Sequence, residues 1–129
     1  MHKITVIWGT LFAALAVILG AFGAHTLKTM VSADALVTFE TGVRYQMYHA
    51  LALIAIGLSA AVSRPIQKNI TVLFTIGTFL FSGSIYLLSL KEILPFDPSV
   101  IGFITPIGGT FFIIGWVYFL VQMFKLKSV

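Results

Sequence analysis

Few side chains in this 129-residue sequence could do chemistry, and most of them gather in one place. Phe39-Glu-Thr-Gly-Val-Arg-Tyr-Gln-Met-Tyr-His49 runs straight into an apolar segment from Ala50 to Val62. Polar groups at the edge of a hydrophobic span are costly unless they are partnered or employed. His25, His49 and Glu40 have the ligand types that suit zinc or iron, but no His-x3-His or Glu-x2-His pair supports a metal site. His25 and His49 could serve as axial ligands of a haem if they faced one cavity at one depth. Ser82 or Ser84 with His49 and Glu40 would supply the parts of a triad, yet nothing resembles a nucleophile elbow or an oxyanion loop. Cysteine is absent, which removes disulfides and thiolate chemistry. The expectation is therefore a protein without catalytic residues, metal or cofactor.

Two pairs in the same stretch have simpler roles. Glu40 and Arg44 stand at i,i+4 with the acid first, the favourable order, and as an exposed pair are worth less than about 1 kcal/mol. Tyr45 and His49, also at i,i+4, share a helix face and read as partners in an interhelical hydrogen bond. His2 reads as a solvated residue.

The elements that hold these residues follow from composition. The chain is 59% hydrophobic and only 9% charged, with mean hydropathy +1.05. Soluble domains carry about 25% charged residues, so this chain belongs in lipid. A helix needs about 20 apolar residues to cross a bilayer core. Four segments, about 4–24, 45–63, 70–90 and 101–124, meet that length without Lys, Arg, Asp or Glu. The ten-residue alternation of a membrane barrel is missing. The expected fold is all-α, an integral membrane four-helix bundle in one domain, 1–129. Ala21-Phe-Gly23 resembles a signal-peptide cleavage site, but the apolar run before it is too long and three more spans follow, so it reads as a retained first span.

Local signals refine this picture. From Asp34, a good N-cap, Leu36, Phe39 and Val43 fall on one face, predicting a short interfacial helix that bends into the second span at Gly42. Arg64-Pro65 is expected to close the second span. Leu94-Pro-Phe-Asp-Pro98 reads as a turn. Pro106 is expected to kink the fourth span. Ala16, Gly20 and Ala24 make a small-residue ridge, and Gly102/Gly109 and Gly108/Gly115 recur at seven residues.

Counting depth from the span ends places His25, Thr41, Tyr45, Gln46, His49, Ser82, Ser84, Tyr86 and Thr105 in one leaflet, a polar layer beneath the outer surface. The other half reads as aliphatic and aromatic, with Trp8, Trp116 and Tyr118 in the inner interfacial belt and Tyr45, Tyr48 and Tyr86 in the outer one. Gly20, Gly23, Gly42, Gly83, Pro106, Gly108 and Gly109 are the expected hinge and packing positions. Lys3, Arg64, Lys68, Lys125 and Lys127 fall on one side of the membrane and Lys28, Arg44 and Lys91 on the other. The positive-inside rule then puts both termini in the cytoplasm. Basic residues scattered over span ends form no nucleic-acid face.

Four ordered motifs carry a resemblance over about residues 9–127. They are Gly20-Ala-Phe-Gly-Ala-His25-Thr-Leu-Lys28, Thr41-Gly-Val-Arg-Tyr-Gln-Met-Tyr-His49, Leu80-Phe-Ser-Gly-Ser84-Ile-Tyr86, and Thr105-Pro-Ile-Gly-Gly109 with Gly115-Trp116. With them the chain resembles the YgdD/YwdK family of small bacterial inner-membrane proteins, similar to the eukaryotic transmembrane protein 256. The resemblance implies a four-span helical protein of the cytoplasmic membrane and implies no reaction. Arg44 departs from at least some members, which argues against an essential Glu40–Arg44 pair. The functional expectation is a non-enzymatic membrane protein that supports envelope integrity or membrane-protein assembly, its partners being the bilayer, other membrane proteins or a second copy. The alternative is an oligomeric small-solute transporter or channel, although the first span lacks the acid that small multidrug exporters use.

Overall fold

The computed structural model describes residues 1–127 and contains no strand among them. Four long helices, α1 (Lys3–His25), α2 (Ala33–Leu58), α3 (Arg64–Ser89) and α4 (Ile104–Lys125), are joined by two short connections and a longer one before α4; the first and last hold 3-10 turns at Leu27–Thr29 and Pro98–Ile101. Three stretches are long and apolar enough to cross a membrane: Lys3–Thr29, Arg64–Ser89 and Pro98–Lys125. The remaining long helix, α2, carries Asp34, Glu40, Arg44, Gln46 and His49.

Consecutive helices are antiparallel. Along the α1–α2 seam Gly23 meets Phe39, Gly9 meets the backbone at Ala50 and Ile54, and Gly57 meets Thr5 and Val6. Along the α3–α4 seam Gly108 lies on the Leu80–Phe81 backbone, Gly77 under Phe112 and Gly115 under Phe74. Pairs α1–α2 and α3–α4 are the intimate ones; α2–α3 joins them, and α1 touches α3 only lightly. The core is Phe12, Ala50, Leu53, Ile56, Val62, Ile66, Ile70, Phe74 and Phe112.

Several boundaries differ from the sequence reading, each for a local reason. The interfacial helix and the second span are one unbroken helix, 26 residues or about 39 Å long. Its N-cap is Ser32, whose hydroxyl accepts from the Ala35 amide, while Asp34 sits in the first turn beside the helix dipole. Gly42 is no hinge but a contact: a Cβ there would stand 2.8 Å from the Tyr86 ring. Helix α2 ends at Leu58, and Arg64-Pro65 opens α3 instead of closing α2, because proline is accommodated in a first turn whose N–H groups lack partners anyway. For the same reason Pro106, in the first turn of α4, produces no mid-span kink. The turn before α4 is held by Asp97, which accepts from the Ser99 amide and hydroxyl at 3.0 and 2.6 Å. Those bonds, the hydroxyl's above all, hold the exposed Asp97 carboxyl below the usual carboxylate range.

The two ends of the bundle differ in charge. One end gathers the start of α1, the α2–α3 connection and the end of α4, with Lys3, Arg64, Lys68, Lys125 and Lys127 and no acidic side chain. The other holds Asp34, Glu40, Glu92 and Asp97 together with Lys28, Arg44 and Lys91. These are the basic end and the mixed end.

Candidate functional site

His49 lies past the middle of α2, well inside the bundle, not at an outer boundary. It is 4% exposed. Its Nδ1 stands 2.7 Å from the Tyr45 carbonyl and its Nε2 3.0 Å from the indole nitrogen of Trp116. A carbonyl can only accept and an indole N–H can only donate. The ring is therefore the neutral tautomer with its proton on Nδ1, donating to Tyr45 and accepting from Trp116. Phe112 stacks on the imidazole at 3.6 Å and 9°, and Phe74 meets it edge-on at 4.8 Å. Both ring nitrogens are engaged, one face is covered by Phe112, and Phe74 packs against the ring at a right angle. The expected interhelical hydrogen bond is made by His49 alone, to Trp116 of α4, while Tyr45 turns outward against Phe81 and Tyr48.

A second link centres on Gln46, also buried. Its Nε2 donates to the Phe12 carbonyl of α1 at 2.9 Å, and its Oε1 accepts from the Tyr86 hydroxyl of α3 at 2.7 Å. One amide thus ties α2 to both neighbours. A third link runs from the Ser82 hydroxyl to the Gly42 carbonyl at 2.7 Å, possible because nothing but hydrogen covers the Gly42 backbone. A fourth joins the Ser84 and Thr105 hydroxyls across α3 and α4.

The predicted layer therefore resolves into separate helix-to-helix bonds, and three of its members stand apart. His25 is exposed at the last turn of α1, far up the helix from the level at which Gln46 and His49 meet their partners. Thr41 bonds back to the Val37 carbonyl and accepts from Arg44. Tyr45 faces outward. Arg44 reaches Thr41, and no ion pair to Glu40 forms among the described residues. With His25 distant and both His49 nitrogens engaged, the two-histidine haem or metal arrangement does not assemble, and no cluster of three His, Asp or Glu residues exists among the described residues. The packing glycines divide likewise. Gly42 and Gly108 are tight and Gly23 close to Phe39, Gly20 and Gly109 make ordinary contact, and Gly83 faces open space.

Sequence reasoning missed a second polar set in the half expected to be apolar. Gln67 is 1% exposed, and its Nε2 contacts the carbonyls of Ile56, Ser59 and Val62 at 2.8–3.0 Å, tying the last turn of α2 and the connection after it to α3. Thr71 donates to the Gln67 carbonyl, and its oxygen also meets the buried Thr5 hydroxyl of α1. Thr5 in turn meets His2 Nδ1 at 2.6 Å, so His2 is half-buried and not merely solvated. The signal was present: Gln67 and Thr71 are one helical turn apart on a face shared with Ile70 and Phe74. Starting the third span at residue 70 left Gln67 outside it and hid the pattern.

An all-helical membrane protein whose buried polar side chains fasten helix to helix is the class this arrangement defines. Residues 19–109 match the family described as "Protein of unknown function (DUF423)". The chain is 42% identical to the UPF0382 membrane protein SSP2132 of Staphylococcus saprophyticus, over 96% of this chain and 99% of that one. It is 42% identical to the UPF0382 membrane protein YwdK of Bacillus subtilis (95% and 98%) and 39% identical to the UPF0382 inner membrane protein YgdD of Escherichia coli (91% and 89%). No solved structure matches. The chain belongs to the UPF0382 (DUF423) family of membrane proteins, as its four motifs implied.

Proposed function

We propose that this is a non-enzymatic, four-span protein of the cytoplasmic membrane, both termini inside, that supports membrane integrity by assembling with lipid and with other membrane proteins. The observation that carries the reading is how the interior polar groups are used. Gln46, His49, Ser82, Ser84, Thr5 and Thr71 each bond to another part of the bundle. A reaction or a solute pathway would need such groups facing a substrate.

The outer faces fit the same reading. On α4 only Gly108, Phe112 and Gly115 are buried, and Ile113, Val117, Leu120 and Phe124 are turned outward. In lipid such faces are covered by acyl chains or neighbouring helices. Helix α2 is read as crossing with the rest because it runs beside α1, with its buried Gln46 and His49 both satisfied. The five basic residues and no acid at one end favour that end as cytoplasmic.

Deleting the gene should raise membrane permeability to a normally excluded dye under envelope stress, and cross-linking in intact cells should capture the protein with membrane partners. Unchanged permeability together with no captured partner would contradict the proposal. Solute flux in proteoliposomes that is absent when His49 is replaced by Ala would favour the transporter reading instead.

A further inference from the structure

The weak contact between α1 and α3 leaves a seam open to the surrounding lipid. Between the two ends of the bundle three aromatic rings bridge it: Trp8 to Phe79 at 6.4 Å, Phe12 to Phe79 at 5.8 Å and Trp8 to Phe12 at 5.5 Å. The bridge divides the seam. Toward the mixed end lies an apolar hollow of about 250 Å³ beside Leu19 and Gly83, whose lining contains no charged side chain. Toward the basic end lies a groove of about 510 Å³ walled mainly by Ile4, Trp8, Val72 and Ile76, with Thr71 and the unpartnered Thr75 hydroxyl among them and His2 and Lys68 at its mouth. A second hollow continues from that mouth past His2 to Arg64 and Asn69.

We propose that this groove is a binding site for one phospholipid with an anionic headgroup, its phosphate between Lys68 and Arg64 and an acyl chain lying along Trp8, Val72 and Ile76. The proposal rests on the membrane-embedded, four-span reading above and adds a ligand to it. Charge complementarity names the occupant. Both cations are exposed, and no acidic side chain lies at their end of the bundle to neutralise them. From Lys68 to Ile76 the wall of α3 runs about 12 Å. Half of a bilayer core is about 15 Å, so the groove matches one leaflet, with the charges where a headgroup sits. A zwitterionic lipid would fit the wall equally well but would gain little from the mouth. A small free anion would gain from the mouth and leave the wall empty.

The test uses full-length protein purified in detergent and offered equal amounts of dioleoyl-phosphatidylglycerol and dioleoyl-phosphatidylcholine, with retained lipid read by native mass spectrometry. One phosphatidylglycerol should be retained in clear preference. The preference should fall about fivefold for each of Lys68→Ala and Arg64→Ala, the change expected for one cation near an anionic lipid surface. Val72→Trp, which fills the groove and leaves the charges, should abolish retention of both lipids. Lys91→Ala at the mixed end should change nothing. Circular dichroism confirms that each variant keeps its helix content, and these positions are exposed, so folding is not at stake. Equal retention of the two lipids, an undiminished preference in the Lys68 and Arg64 variants, a loss caused equally by Lys91→Ala, or displacement by inorganic phosphate would each overturn the proposal. None of these results touches the permeability phenotype, so the ligand and the supporting role fail separately.

Discussion

The Trp116–His49 bond shows how much one side chain's surroundings decide. Trp116 is 43% exposed, yet its N–H turns inward to a buried acceptor 67 residues earlier in the chain. Replacing it with Phe keeps an aromatic ring against Phe74 but leaves His49 Nε2 without a donor. An orphaned buried acceptor costs about 1–3 kcal/mol in water-soluble proteins. Polar bonds in membrane proteins average nearer 0.6 kcal/mol, because the unfolded chain in lipid also finds partners. Trp116→Phe should therefore destabilise by about 1 kcal/mol in a denaturation series in detergent micelles. The double variant with His49→Phe should lose less than the two single losses combined, since it removes the orphan as well as the bond. Additive losses would mean that the two side chains are not coupled. Sequence inspection could place both residues inside spans but could not pair them. Starting the second span at Tyr45 set His49 at the surface, when its helix in fact begins twelve residues earlier at Ala33.

At the level of elements, backbone approach replaces side-chain burial as the main contact. Gly108 lies directly on the Leu80–Phe81 backbone, which cannot move aside as a flexible side chain would. Gly83, only one turn away from that contact on α3, would place a Cβ in open space. Gly108→Ala should separate α3 from α4 and cost about 1–3 kcal/mol, the range for overpacking. Gly83→Ala should be neutral or stabilise by up to about 1 kcal/mol, since alanine is the better helix former. Thermal unfolding in micelles compares the two directly. Equal losses would show that the α3–α4 seam is not the close contact described. This difference was invisible in the sequence, where both glycines sat in motifs of similar look. Length and hydropathy made the helices legible, and charge distribution separated their ends. Chain punctuation was ambiguous: Arg64-Pro65 and Pro106 were read as a stop and a kink, but a proline in a first turn is a start. The inner polar set went unread because Gln67 gains its role from carbonyls in the last turn of α2 and the connection that follows it.

For the whole molecule, the number of crossings decides which groups share a membrane face. Helix α2 is the uncertain member by composition, because Asp34, Glu40 and Arg44 crowd its first half. Its length is compatible with a crossing all the same. At about 39 Å it exceeds a core of about 30 Å, so its first turns can stand in the headgroup region while Gln46 and His49 remain in the interior. Arg44 can extend its stem toward the mixed end and keep its charge near water. If α2 crosses, the α1–α2 and α2–α3 connections face opposite sides; if it lies along the surface, they face the same one. The absence of native cysteine makes this directly measurable. Met30→Cys and Ala60→Cys place a thiol in each connection at exposed positions. A membrane-impermeant maleimide applied to intact spheroplasts should label the thiol at 30 and spare the one at 60, and lysis should make both reactive. Labelling of both thiols before lysis, or of neither, would remove the fourth crossing. Labelling at 60 alone would keep four crossings but invert the orientation, leaving the basic groove in the outer leaflet.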